Sequence, residues 1–99
     1  MYKDLISYEL AKNKTEDQLL AVATLVFESW MGKRAGFISW EITQSGDGKF
    51  ADIVSWNSES DAKLAETKMG EIPNGKDWFA CYKDGSITSK NITVLGRFE

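Results

Sequence analysis

The order in which two hydrophobic periodicities alternate along the chain constrains its fold more than any other feature. Residues 4–10 alternate apolar and polar side chains, which is the period of a strand with one buried face. From Thr15 to about Met31 the apolar residues instead recur on one helical face, and Thr15 and Gln18 have the spacing of a capping box. Gly32 is the expected left-handed end of this helix.

Two strands, a second helix, a short helical turn and a last strand are predicted to follow. In order, they are strands at residues 37–44 and 49–57 joined by the turn 45–48, a helix capped by Ser58 and ended by Gly70, a turn carrying Trp78, Phe79 and Tyr82, and a strand at residues 91–98. The tight turn makes the two central strands antiparallel neighbours. The second helix offers only Ala62, Ala65 and Met69 to the core, which is a shallow apolar surface.

Two strand–helix–strand units that share a central hairpin predict a split βαβ arrangement. The expected fold class is α+β: a ferredoxin-like βαββαβ sandwich, one domain over residues 1–99, with both helices on one face of a four-stranded antiparallel sheet. The other face, expected to carry Leu5, Phe37 and Leu95 among polar residues, is too apolar for water and too polar for a sealed core. We therefore expect a homodimer that pairs through the open sheet face, as a dimeric α/β barrel.

Two segments carry a resemblance to a known family. Residues 35–41 read Ala-Gly-Phe-Ile-Ser-Trp-Glu directly after the first helix, and residues 52–62 fit the pattern Asp-x-Val-x-Trp-x-Ser-x-x-Asp-Ala. Together with the layout they resemble the dimeric α/β-barrel superfamily, in particular its antibiotic-biosynthesis-monooxygenase-like domains, although Ala35 stands where proline is common. The resemblance implies cofactor-independent oxidation of a small aromatic or polyketide-like substrate. Because both motifs serve strand starts and helix capping, they indicate fold more than chemistry.

Composition excludes several other classes of function. The chain has no histidine, which removes histidine-based catalytic triads and imidazole metal ligands, and Cys81 is its only cysteine. Its acidic residues have no metal-binding spacing, so we expect no metal, and its glycines form no phosphate-binding loop or dinucleotide motif, so we expect no cofactor. The net charge is −3 with scattered basic residues, which argues against nucleic-acid binding. No apolar run approaches the roughly 20 residues of a membrane span, so we expect a cytoplasmic protein without membrane contact.

A pocket is expected between the sheet and the helices, because small alanines of the second helix face large aromatic side chains of the strands. Trp78 and Tyr82 would cover it. In the chemistry that the resemblance implies, the hydrogen-bond donors would be Tyr8 and Tyr82, the substrate would pack on Trp40, Trp56, Trp78 and Phe79, and Asp52 or Asn57 would orient a proton.

Each of these residues also has a purely structural interpretation. Tyr8 is equally compatible with a core tyrosine, Trp78 and Phe79 with a dimer seal, and Asp52 with an ion pair to Lys or Arg on a neighbouring strand. The sequence thus leaves three functions open. They are an oxygenase-like enzyme, a non-catalytic dimeric module that binds a small ligand or assists another enzyme, and a dimer whose pocket is filled by its own side chains.

Overall fold

The computed structural model describes residues 1–99 and has the predicted element order. Four strands form one antiparallel sheet in the order β2-β3-β1-β4, with the helices on one face. The elements are β1 Tyr2–Tyr8, α1 Glu16–Ser29, β2 Phe37–Gln44, β3 Phe50–Trp56, α2 Glu59–Thr67, α3 Gly75–Phe79 and β4 Thr88–Thr93, with 3-10 turns at Met31–Lys33 and Met69–Glu71. The ferredoxin-like prediction is confirmed. No helix has the length and apolar character that crossing a bilayer requires.

The first helix begins as its sequence predicts and ends differently. The Thr15 backbone N–H donates to Gln18 Oε1 at 2.8 Å, and the Gln18 N–H donates to Thr15 Oγ1 at 3.2 Å, so the capping box is confirmed. The predicted left-handed end at Gly32 is wrong, because the chain continues into the 3-10 turn and takes a positive φ (77°) only at Gly36. The helical period places Phe27 among the apolar residues of the buried face, but in the structure it is 46% exposed and its ring packs against Phe37 of β2, with centroids 5.9 Å apart.

A bulge in β2 corrects the expected composition of the open face. The register with β3 shifts between Phe37 and Ser39, so that Phe37 pairs with Trp56 and Ser39 with the adjacent Ser55. One extra residue in a strand reverses which face its side chains reach. Phe37 therefore packs on the helical side, edge-on to Trp56 with ring centroids 5.8 Å apart, and not on the open face.

The last strand is also displaced from its predicted position at residues 91–98. It pairs only with β1. Because β1 begins at Tyr2, which lies opposite Thr93, the pairing between the two strands ends at Thr93. Leu95 and Phe98 are each 97% exposed and do not lie on the sheet. The apolar side chains of the open face are instead Leu5, Ile53 and Ile92, which the strand register places on the side away from the helices.

Candidate functional site

A cavity of about 250 Å³ lies between the sheet and the helical layer, where the sequence predicts a pocket. All four tryptophans of the chain line it. The full lining is Asp4, Ile6, Trp30, Met31, Trp40, Asp52, Val54, Trp56, Ala62, Ala65, Glu66, Met69, Trp78, Ser89 and Asn91. This space argues against a pocket completely filled by the protein's own side chains.

The cavity exists because the second helix brings only small side chains to this part of the sheet. Ala62 and Ala65 are both buried and stand opposite the strand tryptophans. The start of the helix is fixed by the Ser58 hydroxyl, which accepts a hydrogen bond from the Asp61 backbone N–H at 3.2 Å, as predicted. Small residues that face large rings leave space that the rings do not fill.

The polar centre of the cavity wall is a buried carboxylate with two tyrosine partners. Asp52 is 1% exposed. The Tyr8 hydroxyl donates to its Oδ1 at 2.8 Å, and the Tyr82 hydroxyl donates to its Oδ2 at 3.2 Å. No lysine or arginine forms a salt bridge with this carboxylate, so the alternative of an ion pair across neighbouring strands is wrong.

Burial controls the ionisation of all three groups. It raises the pKa of Asp52, while the Tyr8 hydroxyl, the Trp40 indole and the Tyr82 hydroxyl act in the opposite direction. Burial, reinforced by the neighbouring Asp52 charge, also raises the pKa of Tyr8 and of Tyr82, so both hydroxyls stay protonated and donate. A carboxylate whose pKa is raised by burial, in the wall of an aromatic cavity, is a candidate general base.

Three indole N–H groups around the cavity have no hydrogen-bond partner within the chain. They belong to Trp30, Trp40 and Trp78, whereas the Trp56 indole donates to Asp4 Oδ2 at 3.2 Å. Trp40 stands close enough to Asp52 to favour its ionised form, but not in hydrogen-bond geometry. Buried donors without partners cost free energy, and they mark places where a ligand oxygen could accept.

The structure places the predicted site residues in three groups. Trp40, Asp52, Trp56 and Trp78 line the cavity. Tyr8 and Tyr82 lie behind Asp52 and reach the cavity only through it. Asn57 and Phe79 lie outside the lining.

Asn57 and Phe79 are excluded for different reasons. Asn57 is exposed beyond the end of β3, and its backbone N–H donates to the Gly36 carbonyl at 2.8 Å. Phe79 stacks on the outside of Trp78, with ring centroids 5.2 Å apart, and remains partly in solvent. Asn57 and Phe79 thus stay outside the cavity although each follows a cavity residue in the sequence.

Sequence reasoning missed Asp4, Trp30 and Glu66 as cavity residues. Asp4 is an even number of residues from Tyr2, Ile6 and Tyr8 and therefore lies on the same buried face of β1. The two-residue period of the strand could have shown this. Trp30 lies on the predicted buried stripe of the first helix, a position that by itself indicates only a core residue. No pattern in the sequence indicates that Glu66 lines the cavity, because this residue lies at an exposed position of α2.

No group of three His, Cys, Asp or Glu side chains is gathered in a way that could hold a metal ion. The acidic and aromatic side chains of the cavity can position an organic molecule and exchange a proton with it. The chemistry available to the site is therefore acid–base and hydrogen-bond chemistry on a small aromatic or apolar ligand.

No family model and no curated protein matches this chain, but solved structures do. SnoaB, a cofactor-independent oxygenase from Streptomyces nogalater, superposes with a TM-score of 0.75 at 11% identity, over 97% of this chain and 94% of that one. A monooxygenase from the gene ActVA-Orf6 of Streptomyces coelicolor, in complex with nanaomycin D, gives 0.74 at 18% identity, over 99% and 90%. A dimeric protein of unknown function and ferredoxin-like fold from Bacteroides fragilis gives 0.64 at 15% identity, over 94% and 95%.

At these identities the likeness establishes the fold. The chain has the ferredoxin-like fold of the antibiotic-biosynthesis-monooxygenase-like proteins, which is the family that its two sequence motifs resemble.

Proposed function

We propose that this protein is a cofactor-independent monooxygenase-like enzyme that oxidises a small hydroxylated aromatic or polyketide-like substrate. The observation that carries the proposal is the buried Asp52 carboxylate, held by two tyrosine hydroxyls in the wall of a cavity lined by four tryptophans. The shared fold with two oxygenases supports it. Burial raises the pKa of Asp52, which makes this carboxylate a stronger base than an exposed aspartate.

In the proposed reaction, the substrate ring packs against the corner that the Trp40 and Trp78 rings form, since these two rings contact each other with centroids 5.4 Å apart. Asp52 removes a proton from an acidic C–H or O–H group of the substrate, and the unpartnered indole N–H groups stabilise the resulting oxyanion. Dioxygen then forms a C–O bond with the electron-rich ring carbon, and the proton that Asp52 removed returns to the terminal peroxide oxygen to give a hydroperoxide. For a CH₂ substrate, loss of water from the hydroperoxide leaves a carbonyl, and the substrate itself supplies the four electrons.

The proposed enzyme is a homodimer that pairs through the open sheet face. The centre of this face is apolar, with Leu5, Ile53 and Ile92. No helix of the chain packs over it. The Bacteroides fragilis protein of the same fold is dimeric, which supports a dimer here.

A non-catalytic ligand-binding module is the second candidate, and one observation favours it. Both Asp52 oxygens already accept a hydrogen bond from a tyrosine, which stabilises the ionised carboxylate and opposes its action as a base. Such a protein would bind the same class of small aromatic ligand through the tryptophans and release it unchanged.

Oxygen uptake with a panel of hydroquinones and anthrones separates the two candidates. We expect uptake by the native protein, a loss of at least about a hundredfold in Asp52→Asn because a general base is removed, and little change in Tyr2→Phe as the matched control. Binding of the panel without any oxygen uptake would refute the enzyme and leave the binding module.

A further inference from the structure

Every ionisable side chain in the cavity lining is acidic. Asp4, Asp52 and Glu66 are present, and no lysine or arginine lines the cavity. The three salt bridges of the chain involve other carboxylates, at Glu59, Glu9 and Glu99. Burial raises the pKa of both aspartates, and the groups that act in the opposite direction are neutral donors, the Trp56 indole at Asp4 and the Tyr8 and Tyr82 hydroxyls at Asp52. An anionic ligand would meet repulsion in this cavity, and a cationic group would meet attraction.

The tryptophans add a second attraction for positive charge. Indole has the strongest quadrupole among the aromatic side chains and binds ammonium groups on its face. The Trp40 and Trp78 rings are tilted by 59° and form a corner rather than a closed stack. The same aromatic cluster already binds one cation: the Arg34 guanidinium lies 4.9 Å above the Trp30 ring, although Arg34 does not line the cavity.

The unpartnered indole N–H groups indicate that the same ligand also carries a hydrogen-bond acceptor. Trp30 is 3% and Trp78 is 4% exposed, so their N–H groups cannot rely on bulk water. An ammonium cannot accept a hydrogen bond, whereas a neutral hydroxyl can. A ligand that suits both features carries one cationic group, at least one neutral oxygen acceptor, and an aromatic body that packs against the rings.

We propose that the cavity takes a hydroxylated aromatic amine, whose ammonium group lies near the lining carboxylates and whose hydroxyl accepts from an indole N–H, and that it rejects aromatic carboxylates. This inference rests on the proposed function only in using the same cavity as the site. It narrows the substrate class from any small phenol to one with a positively charged side chain.

Isothermal titration calorimetry with three matched phenols tests the charge preference. The probes are tyramine, 4-propylphenol and 3-(4-hydroxyphenyl)propionate, which share the phenol and differ in a positive, neutral or negative side-chain end. We expect tyramine to bind most tightly and the propionate most weakly, with a difference of at least about tenfold between those two. Equal affinities, the reverse order, or no binding of any probe would each overturn the inference.

The double variant Asp4→Asn/Glu66→Gln tests whether the lining charges cause the preference. The asparagine amide keeps an oxygen that can accept from the Trp56 indole, so the change removes charge with little loss of packing. We expect the ratio of tyramine to propionate affinity to fall by about tenfold, while Glu28→Gln, an exposed change outside the cavity, leaves it unaltered. An unaltered ratio in the double variant would overturn the charge argument.

Oxygen uptake keeps this inference separate from the proposed function. Uptake of oxygen with neutral hydroquinones, combined with no charge preference in calorimetry, would refute the amine preference alone. The expected order of affinities without oxygen uptake on any substrate would refute the enzyme and leave the amine-binding cavity standing.

Discussion

Removal of one hydroxyl, in Tyr8→Phe, tests whether the Asp52 carboxylate depends on its tyrosine partners. Tyr8 is buried, and its hydroxyl donates to Asp52 Oδ1 at 2.8 Å. The phenylalanine ring would keep the stacking on Phe50, at a centroid distance of 5.7 Å, so the change is confined to the hydrogen bond. A hydrogen bond to a charged group contributes about 1.5–3 kcal/mol. We expect the free energy of unfolding at pH 7 to fall by about 2 kcal/mol.

The loss should also depend on pH. The Tyr8 hydroxyl lowers the pKa of Asp52, because it stabilises the ionised form. Its contribution is therefore largest above the native pKa of Asp52 and shrinks towards the roughly 1 kcal/mol of a neutral hydrogen bond once that carboxyl is protonated. Urea denaturation with linear extrapolation, at several pH values, measures both quantities.

Tyr2→Phe is the matched control, since Tyr2 lies on the same strand and face but its hydroxyl bonds no carboxylate. We expect the control to change the free energy of unfolding by less than about 0.5 kcal/mol. A double-mutant cycle of Tyr8→Phe with Asp52→Asn should give a coupling of about 1 kcal/mol or more. A cost for Tyr8→Phe no larger than that of Tyr2→Phe, or a coupling near zero, would refute the reasoning.

Three further predictions concern charge burial, backbone strain and association. Burial raises the pKa of Asp52, so the native state binds the proton of this carboxyl group more tightly than the unfolded chain does. The free energy of unfolding, taken relative to that of Asp52→Asn, should therefore fall as pH rises from about 4 through the native pKa. Urea titrations in which this difference stays constant across the range would contradict the prediction. Gly36→Ala combines a positive φ with a Cβ that would overlap the Asp61 carboxylate, whereas Gly48→Ala has a positive φ in open space. We expect about 1 kcal/mol of destabilisation at Gly48 and at least about 1 kcal/mol more at Gly36, and equal thermal shifts would show that Asp61 moves aside freely. Ile53→Lys on the open face should convert a homodimer into a monomer in sedimentation velocity runs, and a native chain that is already monomeric at micromolar concentration would refute the dimer.

Much of the fold follows from local patterns. The alternation in β1, the capping box of α1 and the glycine-rich turn between β2 and β3 each depend on neighbouring residues, and each is where the sequence places it. Four of the cavity residues, Trp40, Asp52, Trp56 and Trp78, were also predictable, since strand period and helix spacing decide which face a side chain occupies.

The features that the sequence alone left open all depend on partners distant in the chain. The bulge that turns Phe37 inward is set by the register with β3, and the end of β4 is set by where β1 begins. Asp4, Trp30 and Glu66 come from three separate elements, and they meet at one cavity only when those elements pack. Periodicity decides the face of each element, but the cavity is the space left between elements, and only tertiary packing determines its size, its charge and the donors that it leaves unpaired.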